Sequence, residues 1–126
     1  MRGSSLFEEL GGFARVRVIV ADFYERLQAS ERLGPYFQDV DMRRLIDHQT
    51  KFVAAIMGGP AAFSDDQIAR AHARLGITAG DFDEMTLLFA ETLEDFGLEP
   101  AVVQRLCAHV DSLRDHVVAP LSLPAS

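Results

Sequence analysis

Three polar residues, Tyr24, Gln49 and His72, fall on or beside apolar helical stripes, where any that is buried needs hydrogen-bond partners from inside the fold. His72 lies four residues after Ile68 and three before Leu75, among Ala69, Ala71 and Ala73, whose small side chains let a bulky group approach. A neutral imidazole in an apolar slot, with an acceptor for its second nitrogen, is an axial ligand of the kind that haem iron takes. The plain alternative is a partly buried histidine bonded to backbone. Gln49 lies four residues after Leu45 and three before Phe52, so its amide either donates into an enclosed space or is an ordinary satisfied boundary group. Tyr24 flanks the inner stripe of the first long helix and can pack its ring while aiming its hydroxyl inward or into water. Tyr36 and Phe37 follow Gly34-Pro35, a turn that projects aromatics onto whatever the helices enclose. His48 sits about 100° around the helix from Gln49, and solvent exposure is its default.

The elements that must position these residues are helical. Glycine and proline at Gly11-Gly12, Gly34-Pro35, Gly58-Gly59-Pro60, Gly76, Gly97 and Pro100 cut the chain into helix-length pieces. From Phe13 to Ser30 the apolar positions Val16, Ile19, Val20, Phe23 and Leu27 recur every three or four residues. A second helix over Met42 to Met57, with Asp39 and Asp41 as caps, carries Leu45, Gln49, Phe52 with Val53, and Ile56. Ser64-Asp65-Asp66 predicts a short helix to Leu75, and Thr78 caps a longer one with Phe82, Met85, Phe89, Thr92, Leu93 and Phe96 inward. The last helix starts near Glu99-Pro100 and carries Val103, Leu106, Val110, Leu113 and Val117. Alternation of period two is missing, so the fold class is all-α, either a bundle or a globin-like set of crossing helices.

Composition narrows the chemistry. The 126 residues are 48% hydrophobic and carry 19 acidic against 12 basic side chains, a net charge of -7. One domain with its own core is expected, and the charge has the wrong sign for nucleic acid. A lone Cys107 excludes an intramolecular disulfide and cysteine-built metal clusters, and it has no basic neighbour to make it a catalytic thiol. Hydrolase, zinc-protease, phosphate-loop and dinucleotide motifs are missing, and His109 and His116 read as surface. No apolar run approaches the ~20 residues that would span a bilayer, so a soluble, cytoplasmic protein without membrane contact is expected. Residues 1–4 read as a vector leader or disordered start, 5–119 as the domain, and 120–126 as a flexible tail or linker.

The ordered series of short motifs resembles the group I truncated haemoglobins from Ser5 to about Val118. The series runs Leu6-Phe7-Glu8-Glu9-Leu10-Gly11-Gly12, Asp22-Phe23-Tyr24-Glu25-Arg26, Leu33-Gly34-Pro35-Tyr36-Phe37 and Val40-Asp41-Met42. It continues through His48-Gln49, Gly58-Gly59-Pro60, Ala71-His72, Leu75-Gly76-Ile77 and Phe82-Asp83. The resemblance implies a shortened globin, two helix pairs crossed over each other around a haem b. It makes His72 the proximal iron ligand, and Phe37, Phe52, Phe82, Ile77 and Leu45 the haem walls. Tyr24 and Gln49 become the distal hydrogen-bonding pair, which accounts for both polar misfits at once. Bound dioxygen carries partial negative charge, so a phenol and an amide in an apolar pocket hold it. His48 matches a histidine that in some cyanobacterial relatives binds iron as a sixth ligand. Lys51, Arg70 and Arg74 are the cations near the inferred pocket for the haem propionates.

The function this resemblance implies is reversible dioxygen binding and transport, with nitric oxide dioxygenation as accompanying chemistry that needs an external reductase. Dioxygen, nitric oxide and carbon monoxide are the implied ligands, and a monomer or weak dimer the implied state. The alternative is a gas or redox sensor, or an electron-transfer globin, in which His48 is displaced from the iron by ligand. A third reading is a helical interaction module without cofactor, for which haemin uptake is the discriminating observation.

Overall fold

Ser5 and Glu8 open the chain with a reciprocal cap: the Glu8 amide donates to the Ser5 hydroxyl at 3.1 Å, and the Ser5 amide to the Glu8 carboxylate at 3.3 Å. This box starts α1 (Leu6–Leu10) in the computed structural model, which describes residues 5–59 and 77–118. Helix α2 (Gly12–Ala29) follows, then a 3-10 turn (Gly34–Phe37) and α3 (Met42–Ile56). After residue 77 come α4 (Ala79–Asp95), α5 (Pro100–Asp111) and a last short turn of helix, α6 (Arg114–Val117). No strand forms among the described residues, in keeping with the all-α expectation. The short helix expected to carry His72 lies outside the described residues, as do Arg70 and Arg74.

Helix α2 buries Val16, Ile19, Val20, Phe23 and Leu27, the stripe its spacing predicts. It packs against α3 on one side and α4 on another, while α4 also packs against α5, so two helix pairs share one core. Leu93 and Phe89 from α4, and Val103 and Leu106 from α5, complete that core. Asp41 caps α3 by accepting the Arg44 amide at 3.2 Å, and Thr78 caps α4 by accepting the Asp81 amide at 3.1 Å. Asp39 does not cap; it takes a left-handed conformation in the approach to α3.

Two expectations need correction, and one helix is additional. The buried side of α3 is Thr50, Val53 and Ala54, continuing to Met57, whereas Leu45, Gln49, Phe52 and Ile56 form a neighbouring, half-buried line. Thr50 enters the core because its hydroxyl donates to its own helix, to the Ile46 carbonyl at 2.6 Å, leaving only a methyl group to pack. The final helix is not continuous: it stops at Asp111, and Ser112 donates its hydroxyl to the His109 carbonyl at 2.5 Å before α6 begins. Helix α1 has no counterpart in the periodicity analysis, although the Ser5-x-x-Glu8 spacing announces it.

Gly34 is held by close backbone approach. A Cβ there would stand 2.8 Å from the Gln28 carbonyl oxygen, which is fixed in the α2 backbone and cannot step aside. Gly34→Ala is therefore expected to lower stability by about 1–3 kcal/mol, read as a fall in the denaturation midpoint. An unchanged midpoint would show that the turn moves freely.

Candidate functional site

Tyr24 lies in the middle of α2, one residue beyond the buried Phe23, and its ring sits between two aromatic partners. The Phe23 centroid is 5.1 Å away at 72°, and the Phe37 centroid 5.7 Å away at 89°, both edge-to-face. Phe23 in turn meets Phe89 of α4 at 5.1 Å. The aromatic chain Phe37–Tyr24–Phe23–Phe89 thus joins the 3-10 turn, α2 and α4. Burial pushes the Tyr24 phenol far above the ordinary tyrosine value. Its ring nevertheless keeps partial accessibility. A phenol so placed stays protonated, and in a poorly solvated setting its O–H is a stronger donor than in water.

Helix α3 supplies the second wall. Leu45, Gln49 and Phe52 recur at four and three residues, so they share one face, and all three are half-buried. Phe52 packs against the core, whereas Leu45, among the described residues, stands outside that packing. Ile77, just before the α4 cap, is likewise half-buried and outside that packing. The Gln49 amide stands in this apolar line as its one polar member. His48 is exposed on the same helix, as its sequence default has it. Lys51 is exposed as well.

Phe82 occupies a different environment. It is 1% exposed at the start of α4, and the Arg114 guanidinium caps its ring at 5.1 Å while bonding Asp83 at 2.8 Å. Of the residues singled out by sequence, the structure brings Tyr24 and Phe37 into ring contact and sets Leu45, Gln49 and Phe52 on one face. It places Phe82 beneath Arg114, and His72 lies outside the described residues.

A further cluster forms at the start of α4. Asp81, in the first turn of α4, accepts from the Tyr36 hydroxyl through Oδ2 and from Arg32 Nε through Oδ1. The Tyr36 hydrogen bond, then Arg32, holds the Asp81 carboxyl below the usual carboxylate range, while burial foremost raises the Tyr36 phenol. No local motif marks this contact, because Asp81 stands 45 residues from Tyr36 and 49 from Arg32.

The surface carries no helix long and apolar enough to cross a membrane among the described residues. Comparison with known proteins matches residues 5–119 to the bacterial-like globin family. The group 1 truncated haemoglobin of Synechocystis is 30% identical over 109 residues, covering 83% of this chain and 88% of its own. That of Tetrahymena pyriformis is 27% identical over 110 residues, covering 87% and 91%. The crystal structure of the Tetrahymena pyriformis protein in its Fe(III) form is similar with a TM-score of 0.83 at 26% identity, over 93% of this chain and 100% of that one. The 2/2 haemoglobin of Synechococcus, in the cyanomet state with covalently attached haem, gives 0.82 at 28% identity, over 91% and 98%.

Proposed function

Because the chain belongs to the bacterial-like globin family, among the group 1 truncated haemoglobins, and is a haem-binding globin with the 2/2 fold, we propose that it binds dioxygen reversibly at a haem b. Tyr24 is the observation that carries this reading: a protonated phenol, deep yet accessible, braced by Phe23 and Phe37. The donor set fits the group. A flat apolar ligand suits the partly buried Leu45, Phe52, Phe37 and Ile77, each of which keeps some apolar surface accessible. His72 is the iron ligand in this reading, and Phe82 a further wall.

When bound, the haem would supply a redox-active iron that takes diatomic gases; dioxygen on the ferrous iron and nitric oxide would together give nitrate and leave the iron ferric, and an external reductase would return one electron to restore the ferrous state. Tyr24 and Gln49 would donate hydrogen bonds to a diatomic ligand held there. Leu45 cannot donate, so it excludes water and leaves polar recognition to those two. Phe37 holds the Tyr24 ring from the edge. Lys51, with Arg70 and Arg74, offers positive charge for the propionates.

The visible spectrum of the haem-loaded protein in its anaerobic ferrous state, beside His48→Ala, tests the reading. A single broad band in both proteins is the expected result and signifies five-coordinate iron open to ligand. Two sharp bands that collapse to one in the variant would instead make His48 a displaceable sixth ligand and favour sensing or electron transfer. Failure to take up haemin in stoichiometric amount would overturn the proposal.

A further inference from the structure

The turn that delivers Phe37 to Tyr24 is only four residues long, Gly34–Phe37, and its geometry is fixed at several points. Gly34 lies against the α2 backbone, Pro35 fixes φ at the second residue of the turn, and the Leu33 amide donates to the Ser30 hydroxyl at 3.1 Å. What remains is the far end of the turn, where Tyr36 and Phe37 are neighbours with opposite attachments. The Tyr36 hydroxyl reaches α4 and donates to Asp81; the Phe37 ring reaches α2 and meets Tyr24 edge-on at 5.7 Å. In so short a turn, the torsions that place one ring also place the other.

Asp81 is suited to anchor this end. Its side chain is 14% exposed, and its two oxygens are divided between Tyr36 and Arg32, so neither can swing to the other without loss. Its own amide is bound to the Thr78 cap, which ties the carboxylate to the rigid first turn of α4. Gly80 leaves the space beside that turn in which the Arg32 guanidinium lies.

We propose that Asp81 and Tyr36 are positioning residues for the distal site: their hydrogen bond sets Phe37, and through Phe37 the ring of Tyr24. This rests on the reading of Tyr24 as a ligand donor, and it assigns the control of that donor to a contact between the turn and α4. Asp83, two residues on, pairs with Arg114 instead, so it carries a similar charge at the same helix end and, among the described residues, shares no hydrogen bond with Tyr36 or Arg32.

The chain has two tyrosines and no tryptophan, which makes a direct test practical. Tyrosine rings are labelled with carbon-13 in the haem-loaded, carbon monoxide-bound protein, and Tyr24 is assigned from Tyr36→Phe, where it is the only tyrosine left. The expected result is that Asp81→Asn and Tyr36→Phe displace the Tyr24 resonance alike, whereas Asp83→Asn leaves it at the wild-type position. A Tyr24 resonance unmoved in both latch variants overturns the proposal, as does an equal displacement in Asp83→Asn. Dioxygen dissociation is expected to quicken about five- to tenfold in both latch variants, the scale of one hydrogen bond, and to show no further effect in a Tyr24→Phe background. If Tyr24→Phe alone leaves dissociation unchanged, the donor role of Tyr24 fails, and the ring resonance still decides whether Asp81 positions it.

Discussion

Haem affinity is expected to collapse when His72 is replaced by alanine, with haemin binding weakened at least ~100-fold, beyond what loss of a supporting contact to a metal ligand costs. Alanine has no lone pair to offer the iron, and its neighbours Ala69, Ala71 and Ala73 offer none either. The helical signal of the apoprotein should survive, because the core is made by Val16, Ile19, Val20, Phe23, Phe89 and Leu93, far from His72 in sequence. The return point of the segment that carries His72 is also independently secured. Asp81 pairs with Arg32 and Asp83 with Arg114, so the first turn of α4 is held from two sides. Added imidazole should restore the axial nitrogen and with it much of the ferrous spectrum. Unchanged haemin affinity and spectrum in the variant would remove His72 from the site.

How far the sequence discloses this molecule differs from helix to helix. In α2 the apolar spacing coincides with the buried set, since one stripe faces both α3 and α4 and nothing competes with it. In α3 two lines of apolar residues run side by side, and spacing merges them into one. Only packing separates the core line through Thr50, Val53 and Ala54 from the half-buried line through Leu45, Gln49 and Phe52. A polar residue read as a misfit in the core is then a member of a second, accessible face. The break before α6 is hidden for a related reason: Val103, Leu106, Val110, Leu113 and Val117 keep helical spacing across it, while the interruption comes from the Ser112 hydroxyl bonding the His109 carbonyl. Tyr24 and Phe37 were legible as residues with chemistry, yet their ring contact was not. It depends on the turn and on the Asp81 contact, which join parts of the chain with no local signature.

Loss of both distal donors should produce the largest change in ligand kinetics. Each hydrogen bond to a bound diatomic ligand is worth about 1–1.5 kcal/mol, so Tyr24→Phe and Gln49→Leu are each expected to speed dioxygen dissociation about tenfold. The double variant should reach about 100-fold if the two donors act independently, and fall short of the product if they share one acceptor. Carbon monoxide is the internal control, because it carries less negative charge and gains less from either donor; its dissociation should change little. Among the described residues the Tyr24 hydroxyl makes no hydrogen bond, and phenylalanine keeps the edge contacts to Phe23 and Phe37 while removing a polar group that burial disfavours. Tyr24→Phe is therefore expected to leave the denaturation midpoint of the apoprotein level or raised, while weakening the hold on dioxygen. A variant that lost stability and kept its dissociation rate would make Tyr24 a structural residue. The opposite pair of outcomes identifies a side chain kept at a cost to the fold because the ligand needs it.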